Sequence, residues 1–114
     1  MNQELVERLI HRARTEQVVM CQALPDGTQL LAYPLGRGAL VALGFAREGA
    51  HRVQADAVLR KRAGQMARLG AWLPAMLADG RWYVVRRVGV DAGGGGGAAA
   101  PDEAELLAAR ELLA

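Results

Sequence analysis

Few residues of this chain have side chains that act as nucleophiles, general bases or metal ligands. The sequence contains no serine, one cysteine, Cys21, and two histidines, His11 and His51. A cysteine nucleophile needs an adjacent base, and nothing in the sequence brings either histidine to Cys21. One cysteine and two distant histidines also lack the close spacing of a metal site. We therefore expect a buried, hydrophobic Cys21, solvated histidines, no catalytic residue and no metal site.

Two glycine-rich segments lack the residues that bind nucleotide phosphates. The segment "GRGALVALG" at 36–44 has two glycines of a dinucleotide-binding loop but not the third, and it does not open a helix. The glycines at 93–97 are not followed by the lysine and hydroxyl residue of a phosphate-binding loop. Both segments are typical of turns or linkers, and the sequence predicts no cofactor.

Basic residues cluster between positions 52 and 87. The run "RKR" at 60–62, together with Arg52 and Arg68, predicts a basic helix face, which Arg86 and Arg87 extend from a later strand. Three interpretations stay open. The cluster binds nucleic acid through phosphate contacts, as a small nucleic-acid-binding protein would with a face over 52–68. Alternatively it is a solvated helix face, or it meets an acidic partner, which includes the acidic end of this chain.

Large apolar side chains form a second cluster. Trp72, Met76 and Leu77 lie close in sequence to Trp82 and Tyr83, at the predicted corner between a helix and a strand. Such a cluster is usually part of the core. Where it is exposed, aromatic and methionine side chains are typical anchors of a protein interface.

The periodicity of the apolar residues predicts an α+β fold. A helix over 3–14 is followed by three short strands in an antiparallel meander. A long helix then begins at 53, is kinked near Gly70 and Pro74, and ends at Asp79-Gly80. The remaining segments are listed by sequence: "QVVMCQAL", "TQLLAYPL" and "ALVALGF" for the meander, "RWYVVRRVGV" for a fourth strand, 92–101 for a flexible Gly/Ala-rich linker, and 102–114 for a C-terminal amphipathic helix.

Two helices cover only one face of such a sheet. The other face, with Leu30, Tyr83 and Val85 as candidates, needs a cover. The C-terminal helix, a second copy of the chain or a client protein would each supply one, and the linker gives the C-terminal helix the reach to do so. A low-complexity insertion before a helix that always docks is the alternative explanation of the linker.

Length and charge place further limits. At 114 residues the chain fits one domain, expected over 1–91 with the linker and last helix appended. Residues 1–90 carry 13 bases and 7 acids, for a net charge of +6, whereas residues 91–114 carry one base and five acids, for −4. A single cysteine, an N-terminus without a signal-peptide pattern and the lack of a long apolar run predict a cytoplasmic protein without a membrane span.

The order α-βββ-α-β-α resembles the class I chaperone fold of bacterial type III secretion systems. The segment "QMARLGAWLPAMLADGRWYVVRRVGV" at 65–90, with "ELVERLIHRA" before it and "LLAARELLA" after it, is similar to small Hrp-cluster accessory proteins of the HrpV kind. The resemblance implies a non-enzymatic protein that binds a secretion component or a transcriptional regulator. It also implies dimerisation through the sheet-and-helix region. Chaperones of this class usually have further strands after the second long helix, whereas this sequence predicts one strand there.

The sequence therefore predicts a protein-binding factor that is chaperone-like or regulatory. Apolar anchors supply most of the binding energy in such interfaces, and charges set the orientation. The predicted anchors are Trp72, Met76, Trp82 and Tyr83, and the predicted electrostatic rim is Arg60, Arg62, Arg86 and Arg87. On this hypothesis Tyr83→Asp abolishes partner capture and leaves the fold intact.

Overall fold

The computed structural model describes residues 3–25, 27–36, 38–45, 55–77, 80–89, 101 and 103–113. This part of the chain forms four helices and five strands. The helices are α1 (Gln3–Glu16), α2 (Ala55–Gly64), α3 (Met66–Leu69) and α4 (Glu103–Leu113), and the strands are β1 (Met20–Ala23), β2 (Thr28–Leu35), β3 (Gly38–Phe45), β4 (Leu73–Met76) and β5 (Trp82–Gly89). None of the helices in these residues is long and apolar enough to cross a lipid bilayer.

The five strands form one antiparallel sheet in the order β1-β2-β3-β5-β4. The register pairs Leu30 with Leu43 and Leu43 with Val84, so these three side chains share one face. The connection through α2 and α3 lies between β3 and β4, and β5 then inserts between those two strands. Strand β4 therefore lies at the edge of the sheet, and β5 lies between β3 and β4.

All four helices contribute to one core on this face of the sheet. The core joins Val6 and Leu9 of α1, Val58 of α2, Leu69 of α3 and Leu106 of α4 to the strand residues. The C-terminal helix thus packs in the same layer as α1 and α2. Leu30 belongs to this helix-covered face, which corrects its assignment to the opposite one.

The opposite face carries a smaller apolar cluster. Leu31, Ala42 and Tyr83 are buried there, and Tyr33, Leu77 and Val85 pack against them half-buried. Along β5, Trp82, Val84 and Val88 lie towards the helices, and Tyr83 and Val85 lie on the other side.

Two hairpins are closed by the same hydrogen-bond pattern. Leu24 donates to the carbonyl of Thr28 at 2.9 Å and accepts from the amide of Gly27 at 3.2 Å. Leu77 donates to the carbonyl of Arg81 at 3.1 Å and accepts from Gly80 at 2.9 Å. Both glycines have positive φ, 89° at Gly27 and 79° at Gly80, which an L-residue adopts only at a cost.

The predicted long kinked helix and the count of four strands are wrong. Helix α2 ends at Gly64, and Gln65, with φ −141° and ψ 53°, separates it from the short helix α3. Leu73–Met76 is a strand that pairs with β5. The physical reason is the density of poor helix formers, since Gly64, Gly70 and Pro74 together remove about 5 kcal/mol of helix propensity relative to alanine. Strand pairing recovers the backbone hydrogen bonds that a helix would lose there.

The other elements agree with the sequence. The N-terminal helix, the three-stranded meander, the strand over "RWYVVRRVGV" and the C-terminal helix are all present, with bounds that differ by a few residues. The linker over 92–101 is described only at Pro101, which is buried. The rest of the linker lies outside the described residues, and the division at residue 91 stays a prediction.

Candidate functional site

The four predicted anchors separate into two buried and two accessible side chains. Trp72 is 1% exposed and belongs to the main core, and Tyr83 is 0% exposed on the opposite face. Neither offers surface to a partner in this structure, which corrects their placement at an exposed corner. The indole Nε1 of Trp72 has no hydrogen-bond partner among the described residues, so its burial is driven by packing alone.

Met76 and Trp82 lie opposite each other in the β4–β5 hairpin. The bond from Leu77 to Arg81 fixes the alternation, so that Met76 and Trp82 form a pair without mutual backbone hydrogen bonds. Side chains of such pairs lie close together on one face. Trp82 is half-buried against the main core, whereas Met76 is 56% exposed. The two side chains form a continuous apolar surface across β4 and β5 at this edge of the sheet.

Leu73 extends this apolar surface to the other face of β4. It pairs with Val85, is 46% exposed and was not among the predicted anchors. Sequence analysis missed it because a helix was expected there, in which Leu73 belongs to the buried stripe. We call Leu73, Met76 and Trp82 the β4 edge.

Pro74 limits what the β4 edge can bind. By the same alternation, the backbone groups of Pro74 and Met76 point away from β5. A proline has no N–H there, which is how natural sheets blunt an outer strand. The β4 edge therefore presents side chains to a partner and is a poor template for an added strand.

The predicted basic rim is not one surface. Arg60 pairs with Asp56 at 2.9 Å within α2, and Arg62 donates from Nη2 and Nε to the carbonyl of Gly70 at 2.9 and 3.2 Å. Arg86 is only 13% exposed and pairs with Glu105 of α4, which corrects its expected position at the rim. Arg87, one residue later, is exposed on the opposite face. Arg52 lies outside the described residues.

The acidic end of the chain takes up much of this basic charge. Besides the Arg86–Glu105 pair, Arg68 pairs with Glu111, and Lys61 donates from Nζ to the Glu111 carbonyl at 3.2 Å. Three interpretations of the basic cluster were left open. For Lys61, Arg68 and Arg86 the structure agrees with contact to the chain's own acidic helix. We call the surface of α2, α3, β3 and β5 that α4 covers the α4 groove, with Lys61, Arg68 and Arg86 as its basic residues.

An open cleft adjoins the α4 groove. It has a volume of about 380 Å³ and is lined by Arg60, Lys61, Gly64, Gln65, Leu69 and Glu111. The lining charges are already matched in part by Glu111. The cleft is therefore a gap between α2, α3 and α4, without the enclosed apolar walls of a small-molecule site.

The chemistry-bearing residues do not converge. Cys21 is exposed, not buried as expected, because β1 is a four-residue outer strand and Cys21 lies on its helix-free face. Its Sγ lies 3.8 Å from Oε1 of Gln29. His11 is exposed on α1, and His51 lies outside the described residues. The described part of the chain contains no group of three or more His, Cys, Asp or Glu side chains that could hold a metal ion.

The fold and these surfaces define an α+β protein with helices on one face of a five-stranded antiparallel sheet. Comparison of the chain with protein-family models, curated proteins and solved structures gave no match.

Proposed function

We propose that this chain is a non-enzymatic protein-binding factor that uses the β4 edge. The observation that carries the proposal is the exposure of Met76 and Leu73, 56% and 46%, on an outer strand of a sheet whose other large apolar side chains are buried or half-buried. Burial of a leucine or methionine side chain stabilises a complex by roughly 1.5–3 kcal/mol. The half-buried Trp82 beside Met76 adds a rigid aromatic surface of the kind that dominates interface energetics.

The mode of binding follows from Pro74. Because the outer edge of β4 lacks a donor at this position, a partner gains little from adding a strand. It gains instead from seating side chains against Met76 and Trp82 on one face and Leu73 on the other. Arg87 lies on the same face as Leu73 and adds a positive charge for orientation.

The resemblance to type III secretion chaperones supplies the class of partner. Proteins of this class have further strands after the second helix, and the order here is α-βββ-α-α-ββ-α, with β4 and β5 in that position. We propose that the partner is a secretion component or a transcriptional regulator of the secretion genes, bound in the cytoplasm. A second copy of the chain is the other candidate occupant of the β4 edge.

Nucleic-acid binding is less well supported by the geometry. A phosphate-binding face needs bases that are available to phosphates, and here Arg60, Lys61, Arg68 and Arg86 have acidic or carbonyl partners within the chain. A small nucleic-acid-binding protein that uses residues 52–68 would have to exchange several of these contacts for phosphates.

The test is affinity purification of the tagged full chain from its own host, with and without nuclease. Wild type is compared with Met76→Asp, and with Leu107→Asp as a matched control on the outer face of α4, where Leu107 is similarly exposed. A stoichiometric protein that survives nuclease and high salt, and that is lost from Met76→Asp but not from Leu107→Asp, supports the proposal. Equal capture by all three chains contradicts it, and nuclease-sensitive material would favour nucleic acid.

A further inference from the structure

Helix α4 is held on the body by a pattern that a separate helix could reproduce. Its buried side chains form one apolar face, with Leu106, Ala109, Leu112 and Leu113 in the main core. Two of its acidic side chains meet bases from other elements: Glu105 contacts Arg86 of β5, and Glu111 contacts Arg68 of α3. The backbone carbonyl of Glu111 also accepts a hydrogen bond from Lys61 of α2. Contact with the body is thus amphipathic and charge-matched.

Because of Arg86, a helix that occupies the α4 groove must carry a carboxylate. It lies on the helix-covered face of β5 between Val84 and Val88, both of which are buried, and it is only 13% exposed. A cation in such a place is strongly destabilising without an anionic partner. Glu105, at 34% exposed, supplies a carboxylate from the first turn of α4. Any helix that replaces α4 must bring a carboxylate to the same point, one residue before its first buried leucine.

The sequence that joins α4 to the body is rich in glycine. Residues 90–100 join β5 to the region of α4 and include five consecutive glycines. Short flexible linkers of glycine-rich composition in general hold a tethered ligand at an effective concentration in the millimolar range. A second helix with the same pattern and better apolar contacts can therefore displace α4 from the α4 groove.

We propose that the α4 groove is a binding site for an acidic amphipathic helix of a partner protein, and that α4 occupies it as an intramolecular competitor. The partner helix carries a carboxylate for Arg86, followed by apolar residues at one, four and seven positions beyond it. The inference rests on the proposed protein-binding function. It adds a second contact, since β5 carries both Trp82 of the β4 edge and Arg86 of the α4 groove.

The first experiment measures exchange with a fluorescent peptide of residues 101–114 as the probe and the full-length chain as the receptor. Glu105→Arg in the chain places two cations together and weakens α4 in its own groove. We expect this variant to bind the probe at least tenfold more tightly than wild type, because wild-type α4 competes. The matched control is Arg86→Glu with Glu105→Arg, which restores opposite charges within the chain. This double variant should bind the wild-type probe weakly. It should bind a probe that carries Glu105→Arg more tightly than it binds the wild-type probe.

The outcomes are decisive in either direction. A folded Glu105→Arg chain that does not bind the probe overturns the inference, since the groove then fails to exchange its helix. Loss of the native circular dichroism spectrum in Glu105→Arg also overturns it, because α4 is then an inseparable part of the core. A wild-type dimer that forms with concentration and is dissolved by the probe assigns the groove to a second copy of the chain, against a partner helix.

The second experiment separates this inference from the proposed function. Glu105→Arg should capture several times more partner from host lysate than wild type, whereas Met76→Asp should capture none. If capture depends on Met76 but is unchanged in Glu105→Arg, the partner does not use the α4 groove, and only the inference fails. If Glu105→Arg binds the probe but Met76→Asp captures partner normally, the role of the β4 edge fails.

Discussion

Gln29 donates from Nε2 to the hydroxyl oxygen of Tyr83 at 2.6 Å, although a whole strand separates their backbones. Gln29 is on β2, Tyr83 is on β5, and β3 runs between them with Gly44 paired to Gln29. A Cβ at Gly44 would overlap the Tyr83 ring, at 2.7 Å from Cε2. The ring therefore crosses β3 where β3 has no side chain, and this explains how a tyrosine on the helix-free face becomes fully buried.

Gly44→Ala should destabilise the fold. The added methyl group must displace the Tyr83 ring, because carbon atoms pack at about 3.5–4.0 Å. We expect a loss of about 1–3 kcal/mol in the free energy of unfolding, as for other overpacked sites, which urea denaturation followed by circular dichroism would measure. Gly36→Ala is the control, since a Cβ at Gly36 meets nothing within 4 Å. That change should stay within about 1 kcal/mol of wild type, and equal losses in the two variants would contradict the packing of Tyr83 over Gly44.

Tyr83→Asp should abolish folding, contrary to the expectation from the sequence that it spares the fold. The side chain is fully buried, and an unpaired carboxylate there costs several kcal/mol. Tyr83→Phe keeps the ring over Gly44 and removes the hydroxyl that accepts from Gln29, so we expect a loss of only about 1–2 kcal/mol. Thermal unfolding of both variants checks this, and a cooperative transition in Tyr83→Asp near the wild-type temperature would show that the ring is accessible.

Trp72→Ala should mainly lower stability, whereas Met76→Ala should mainly weaken partner capture. Trp72 is 1% exposed in the main core, and its truncation should lower the free energy of unfolding by about 3–5 kcal/mol. Met76 is more than half exposed, and its truncation should change stability by less than about 0.5 kcal/mol while it weakens partner capture. Urea denaturation with a capture assay on the same samples separates the two effects. A large stability loss in Met76→Ala would place Met76 in the core and remove it from the β4 edge.

The strand and helix types that could be predicted from the sequence are those with a clear apolar period. Helix α1, the meander and α4 have one, and the alternation in "RWYVVRRVGV" is equally clear. The segment from 65 to 77 has an ambiguous pattern, since Leu69, Trp72 and Met76 recur at helical spacing but also fit a turn followed by a short strand. Pairing with β5 makes residues 73–76 a strand, and the local spacing of apolar residues does not encode this pairing.

One local signal in that region was nonetheless present. The sequences "LPDGT" at 24–28 and "LADGR" at 77–81 share the pattern Leu-x-Asp-Gly, and in both the leucine and the residue after glycine close a hairpin. The second was interpreted above as a helix end. Asp-Gly between two apolar runs favours a hairpin without proline, so the second copy also predicts the strand before it.

Side-chain accessibility was the least predictable property. Trp72, Tyr83 and Arg86 are of types that often lie on interfaces, yet their burial depends on what packs from distant elements: Gly44 makes room for Tyr83, and α4 brings Glu105 to Arg86. Cys21 is the reverse case, since its strand is the outermost one on that side. The opposite charges of the body and the C-terminal end were the sequence signal that anticipated the Arg86–Glu105 contact.

Glu105→Gln should destabilise the chain more than Asp56→Asn, although each removes one carboxylate from one arginine. The Arg60–Asp56 pair is exposed on α2, and such pairs contribute less than about 0.5 kcal/mol. Arg86 is mostly buried, so loss of its carboxylate leaves a poorly solvated cation against the core. Because Glu105 is itself a third exposed, we expect about 1–3 kcal/mol and not the full cost of a deeply buried pair. Urea denaturation of Glu105→Gln, Arg86→Met and the double variant measures the coupling between the two residues. Arg86→Met should rescue much of the Glu105→Gln loss, since the double variant no longer buries a charge, and strictly additive losses would show that the two side chains act independently.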